Sequence, residues 1–77
     1  MEELVRTIAI SLVENPDAVA VRSVDGDEGV TIIELHVAPE DMGKVIGKQG
    51  RIAKALRVVV KAAAIRENKK VSVEIMQ

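Results

Sequence analysis

The chain has 77 residues, 48% hydrophobic and 30% charged, with no Phe, Tyr, Trp or Cys. That length predicts one small domain spanning residues 1–77. The composition excludes base stacking on aromatic rings, disulfides, thiolate metal sites and a cysteine nucleophile.

The net charge of −1 hides a division along the chain. Residues 1–41 carry ten carboxylates against two arginines, a net −8, and residues 42–77 carry nine bases against two acids, a net +7. Binding answers to the local field and not to the total, so this asymmetry points to a polyanion site in the second half. The plainer reading is a solvated basic helix face. The acidic start, Met1-Glu2-Glu3, lacks the basic and apolar regions of a signal peptide, and no apolar run approaches the ~20 residues of a membrane span. Both features predict a cytoplasmic chain without a membrane partner.

Residues 2–13 place Leu4, Val5, Ile8, Leu12 and Val13 on one stripe at helical spacing. Asn15-Pro16-Asp17 stops that helix, because proline disfavours a helical residue before it. Residues 19–24 read as a strand, Asp25 to Gly29 as a turn, and residues 30–37 as the clearest strand. There Thr31, Ile33, Leu35 and Val37 face one way and Ile32, Glu34 and His36 the other. So short a connection predicts an antiparallel hairpin.

Pro39-Glu40-Asp41 opens a second helix, its acidic residues suited to a positive N-terminus. Met42–Ile46 is all that follows before Gly47 and Gly50 interrupt it. A longer helix runs from Arg51 to about Arg66, with Ile52, Leu56, Val59 and Ala63, flanked by Ala55, Val60 and Ala64, as its apolar side. Val71, Val73 and Ile75 alternate with Ser72, Glu74 and Met76 in a last strand. The order α-β-β-α-α-β predicts an α+β fold: a three-stranded mixed sheet with three helices packed on one face and Arg22, Glu34, His36 and Glu74 on the wet face.

The segment Gly43-Lys44-Val45-Ile46-Gly47-Lys48-Gln49-Gly50-Arg51-Ile52 carries the chemistry. Two glycines separated by two polar residues permit a sharp turn and a close backbone approach. The turn leads into a helix N-terminus, where unpaired N–H groups and the helix dipole attract anions. Lys44, Lys48, Arg51 and Lys54 surround that point with positive charge. A nucleotide-binding P-loop fails on spacing: three residues, not four, separate Gly43 from Gly47, and Gln49 stands where a metal-ligating hydroxyl is required.

Val45-Ile46-Gly47-Lys48-Gln49-Gly50, set between two helices in this element order, resembles the V-I-G-x-x-G core of KH domains in their type II arrangement. The run Val37-Ala38-Pro39-Glu40-Asp41-Met42-Gly43 and the chain length are similar to small bacterial single-KH proteins of the KhpA type. The resemblance implies single-stranded RNA as the partner, held by Lys44, Val45, Ile46, Gly47, Lys48, Gln49, Gly50, Arg51 and Lys54. It implies a groove floored by Ile46, with the strand at 30–37 as its opposite wall and the loop at 25–29 as a short, acidic variable loop. It also implies an RNA chaperone or post-transcriptional regulator that works as a dimer with itself or with a larger KH protein.

No cofactor, small-molecule substrate, metal site or catalytic residue is expected. His36, the only histidine, has no second ligand beside it, and no Ser or Thr has an activating context. Lys61 and Arg66 read as solubilising charges, and Lys69 and Lys70 as ordinary turn residues. The alanine-rich stretch Lys61-Ala62-Ala63-Ala64-Ile65, with Val58, is more apolar than an exposed face requires and suggests a homodimer surface. The rival to RNA binding is a protein-interaction adaptor that uses the fold without the loop.

Overall fold

A computed structural model describes residues 1–76. Helix α1 (Glu2–Leu12) buries Val5 and Ala9 and half-buries Leu4, Ile8 and Leu12, so its apolar residues recur every three or four positions. Glu2 and Glu3 complement the positive end of its dipole. The chain turns extended at Val13 and passes through a single 3₁₀ turn, Pro16–Ala18.

Strand β1 (Ala20–Asp25) pairs antiparallel with β2 (Val30–His36), in a register running from Ala20 opposite His36 to Asp25 opposite Thr31. Both strands lie within one residue of their predicted limits. Val19, expected as the first strand residue, instead enters the core ahead of β1. In the connection Gly26 N–H donates to Val30 O at 2.7 Å, and Glu28 and Gly29 take positive φ of 58° and 77°.

Two helices follow, α2 (Met42–Ile46) and α3 (Arg51–Arg66), and then strand β3 (Lys70–Met76). β3 lies parallel to β2, with Lys70 opposite Val30 and Met76 opposite His36. A parallel neighbour demands a crossover, and α2 and α3 supply it. The sheet order is β1-β2-β3, so β2 is central and β3 an edge. The sheet is mixed and the helices cover one face, which is the expected α+β architecture.

The core consists of Val5, Ala9, Val19, Ile33, Leu35, Val37, Val45, Leu56, Val60 and Val73, drawn from all three helices and the sheet. On the opposite sheet face Arg22 Nε donates to Glu34 Oε1 at 2.6 Å, and Glu74 is exposed. Glu34 is the exception to the wet face, its side chain only 13% exposed between Arg22 and His36.

Helix α3 differs from expectation in phase. Its buried residues are Ala53, Leu56, Val60 and Ala64, whereas Ala55 is exposed and Val59 is 45% exposed. Apolar side chains occur almost all round this helix, so periodicity alone leaves the buried face undetermined and packing on β3 and α2 selects it. The helix ends in a Schellman motif: Lys69 N–H donates to Ala64 O at 2.8 Å, Asn68 N–H to Ile65 O at 3.0 Å, and Asn68 takes φ 57°.

Asp41 is the one buried charged residue among those described, at 1% exposure. It does not cap α2. Its carboxylate reaches across to the exit of α1, accepting the N–H of Glu14 at 3.1 Å and of Asn15 at 3.0 Å. These bonds pin the α1–β1 connection to the start of α2.

Candidate nucleic-acid interface

Val45 anchors α2 in the core at 1% exposure, and Ile46 packs half-buried at its margin. The helix stops after five residues because Gly47 takes φ 77° and ψ 172°, a region open essentially to glycine alone. Space imposes the same choice. A Cβ at Gly47 would lie 2.6 Å from Ile52 Cγ1 and 2.9 Å from Ile52 Cβ, a contact that real side chains do not make. Gln49 at φ 58° and Gly50 at φ 74° are both left-handed, and the space around Gly50 is open.

The turn uses part of the donor set that its position at a helix start suggested. Gly50 N–H donates to Gly47 O at 3.1 Å and Arg51 N–H to Lys48 O, closing the turn on itself. The N–H groups of Lys48 and Gln49, between the two glycines, have no backbone acceptor among the described residues. These two N–H groups lie in the loop itself, ahead of the first turn of α3.

The side chains of Lys48, Gln49, Arg51 and Lys54 are all exposed, and Arg51 Nη2 donates to Gln49 Oε1 at 3.3 Å. Lys44 is turned toward the α1–β1 connection, where its Nζ stands 3.5 Å from Glu14 Oε1. The structure thus gathers Gly47 to Arg51 in one turn with Lys54 a helical turn onward. It places Lys44 beside them in an ion pair, and Val45 inside as support.

Beside α3 a groove lies against β3, the edge strand. β2 is bonded on both sides and offers no free edge, whereas β3 does. Arg57, Val60 and Lys61 of α3 face Val71, Ser72 and Val73 of β3 across a cavity of about 180 Å3. Arg57 Nε donates to Val73 O at 3.5 Å and crosses that groove. Lys61, read from sequence as a solubilising charge, is a lining residue. The order of strands across a sheet is a long-range property, and no local pattern in residues 30–37 or 70–76 reports it. No group of three or more His, Asp or Glu side chains placed to hold a metal occurs among the described residues. No helix among them is long and apolar enough to cross a membrane.

Residues 2–75 match the family model described as "KhpA/KhpB, KH domain". The chain belongs to this family. The fold is accordingly the type II KH arrangement. Among its relatives, RNA-binding protein KhpA of Caldanaerobacter subterraneus subsp. tengcongensis is 66% identical over 76 residues, covering 99% of this chain and all of the relative. KhpA of Clostridium perfringens is 68% identical over 76 residues at the same coverage. Of the solved structures, a nucleotide-bound Era from Aquifex aeolicus superposes with a TM-score of 0.64 at 24% identity. The match covers 97% of this chain but 29% of Era, so the likeness is one of fold in a segment of a larger protein. A complex of Era with MgGDPNP and nucleotides of 16S ribosomal RNA gives 0.56 at 26% identity, covering 97% of this chain and 28% of that one.

Proposed function

We propose that this chain binds single-stranded RNA in the cytoplasm, gripping the sugar–phosphate backbone at Gly47–Gly50 and catalysing no reaction. The observation that carries this reading is Gly47. Its conformation and its packing on Ile52 both exclude a side chain, and the resulting turn leaves the adjacent N–H groups of Lys48 and Gln49 open, flanked by the Lys48 and Arg51 side chains. Sequence recognition then falls to the α3–β3 groove, whose apolar floor and edge-strand carbonyls suit bases better than phosphates. The relatives named as RNA-binding proteins support the same reading. With no aromatic side chain for stacking, each copy binds weakly and with a strong dependence on salt.

A dimer offsets weak single-site binding by raising effective concentration. Val58 and Ile65, 68% and 67% exposed, lie with Ala62 on the outer face of α3, pointing away from the core. Small and apolar residues there suit the same helix of a second copy or of a larger KH protein. In this reading the protein acts as an RNA chaperone or post-transcriptional regulator.

Titration of a fluorescent mixed-sequence RNA tests the loop. The Lys48→Asp/Gln49→Asp variant is expected to stay folded and to lose at least about tenfold in affinity, because two negative charges replace phosphate-facing groups. Equal binding by the two proteins would move the function to the protein-adaptor reading, for which the outer face of α3 is the available surface.

A further inference from the structure

At the far end of α3 the α3–β3 groove, through Lys61, Val71 and Ser72, continues into a cleft of about 370 Å3 rimmed by Lys61, Lys69 and Lys70. Its wall is largely apolar, formed by Ala64, Ile65 and Val71. Its size falls within the ~300–1,000 Å3 of pockets that accept small organic groups such as a base. Among the described residues no carboxylate lies within ion-pair distance of Lys61 or Lys70, while Lys69 Nζ stands 3.2 Å from Glu67 Oε1. The turn carrying Lys69 and Lys70 is pinned by the Schellman bonds to Ala64 and Ile65, so these charges stand on a fixed backbone.

Position separates this cleft from the loop. At a rise of 1.5 Å per residue, Ala64 lies about 21 Å along α3 from Gly50, too far to serve the same phosphate. Arg51, Lys54, Arg57 and Lys61 follow one another at intervals of three, three and four residues and form a basic flank between the two ends. A continuous positive track ending in an apolar pocket with a lysine rim complements a strand with alternating phosphates and bases.

We propose that the Lys61–Lys69–Lys70 cleft is a second nucleotide subsite, taking a base and its phosphates from the same RNA strand several nucleotides beyond the loop. The proposal rests on the loop reading for the first anchor. It extends the bound length past the roughly four nucleotides that a GxxG loop clamps.

The experiment compares mixed-sequence RNAs of four and eight nucleotides on the wild-type protein and on Lys69→Gln/Lys70→Gln, two exposed positions that rim the cleft, lie outside the groove nearer the loop and leave the core intact. The wild type is expected to gain at least about tenfold from four to eight nucleotides. The variant should match it on the tetranucleotide but lose most of that gain, with a salt slope on the octanucleotide shallower by about 1.4 for two lost phosphate contacts. Both proteins keep their loops, so avidity from any dimer is common to them and cancels in the comparison. An unchanged length gain and salt slope in the variant, or no length gain in the wild type, would overturn the subsite. Failure of the wild type to bind the tetranucleotide would instead sink the loop reading. A poly-glutamate peptide completes the set: binding that disappears in the variant while its RNA length gain persists would assign the cleft to an acidic protein segment and overturn the proposal.

Discussion

Gly47 and Gly50 look interchangeable in the sequence and are not. Gly50 needs only a left-handed backbone, which costs other residues ~1–2 kcal/mol, and a side chain there meets open space. Gly47 needs both an unusual backbone and the absence of a Cβ against Ile52. Gly47→Ala is therefore expected to destabilise by about 2–5 kcal/mol, strain plus overpacking, and Gly50→Ala by about 1–2 kcal/mol. Urea denaturation of the two variants checks the difference, and equal losses would show that Ile52 yields without cost. Asp41 marks the opposite limit of legibility. Its sequence neighbours suggest a helix-start acid, but its partners Glu14 and Asn15 lie 27 and 26 residues away. Nothing near it in the chain reports a buried carboxylate satisfied by two distant N–H groups.

The elements were legible where a local stop signal defines them. Gly47 ends α2 at the residue expected, and Pro16 and the Gly26–Gly29 turn set the limits of α1 and the hairpin to within a residue or so. The helix α3 shows where that logic fails. Val59 and Val60 are chemically identical neighbours, and only the tertiary structure decides that Val60 is 1% exposed and Val59 45%. Val60→Ala is expected to cost about 1.5–3 kcal/mol, through two buried methyl groups, and Val59→Ala less than about 1 kcal/mol. Thermal or chemical unfolding distinguishes them. Equal losses would show that Val59 is buried as deeply as Val60. The location of the groove was illegible for a related reason: both strands alternate, and which one lies at the edge follows from the crossover.

At the scale of the whole molecule, α3 divides its surface among three tasks. One face fills the core, the basic flank borders the groove, and the outer face presents Val58, Ala62 and Ile65 to solvent. Isolated exposed apolar residues are ordinary, but three at successive helical turns on a chain of 77 residues form a patch suited to a second helix. Val58→Glu is expected to shift the protein from dimer to monomer in sedimentation velocity at tens of micromolar, with little change in unfolding midpoint measured at low concentration. A wild type that sediments as a monomer at that concentration would dispose of the dimer.

The parallel pairing of β2 with β3 has a consequence for how the protein is made. Lys70 meets Val30, so the sheet is completed only across a sequence separation of forty (30 to 70), and such distant closures form late in folding. The hairpin of β1 and β2 has all its partners close at hand. α2 and α3 pack on each other and on α1, and the pairing of β3 with β2 comes last, laying the edge strand beside α3. The glycine turn, closed by bonds within residues 47–51, depends on no such distant partner. The groove beside α3, in contrast, gains its second wall only when β3 docks, so that surface is completed late in folding while the turn at its end is set early.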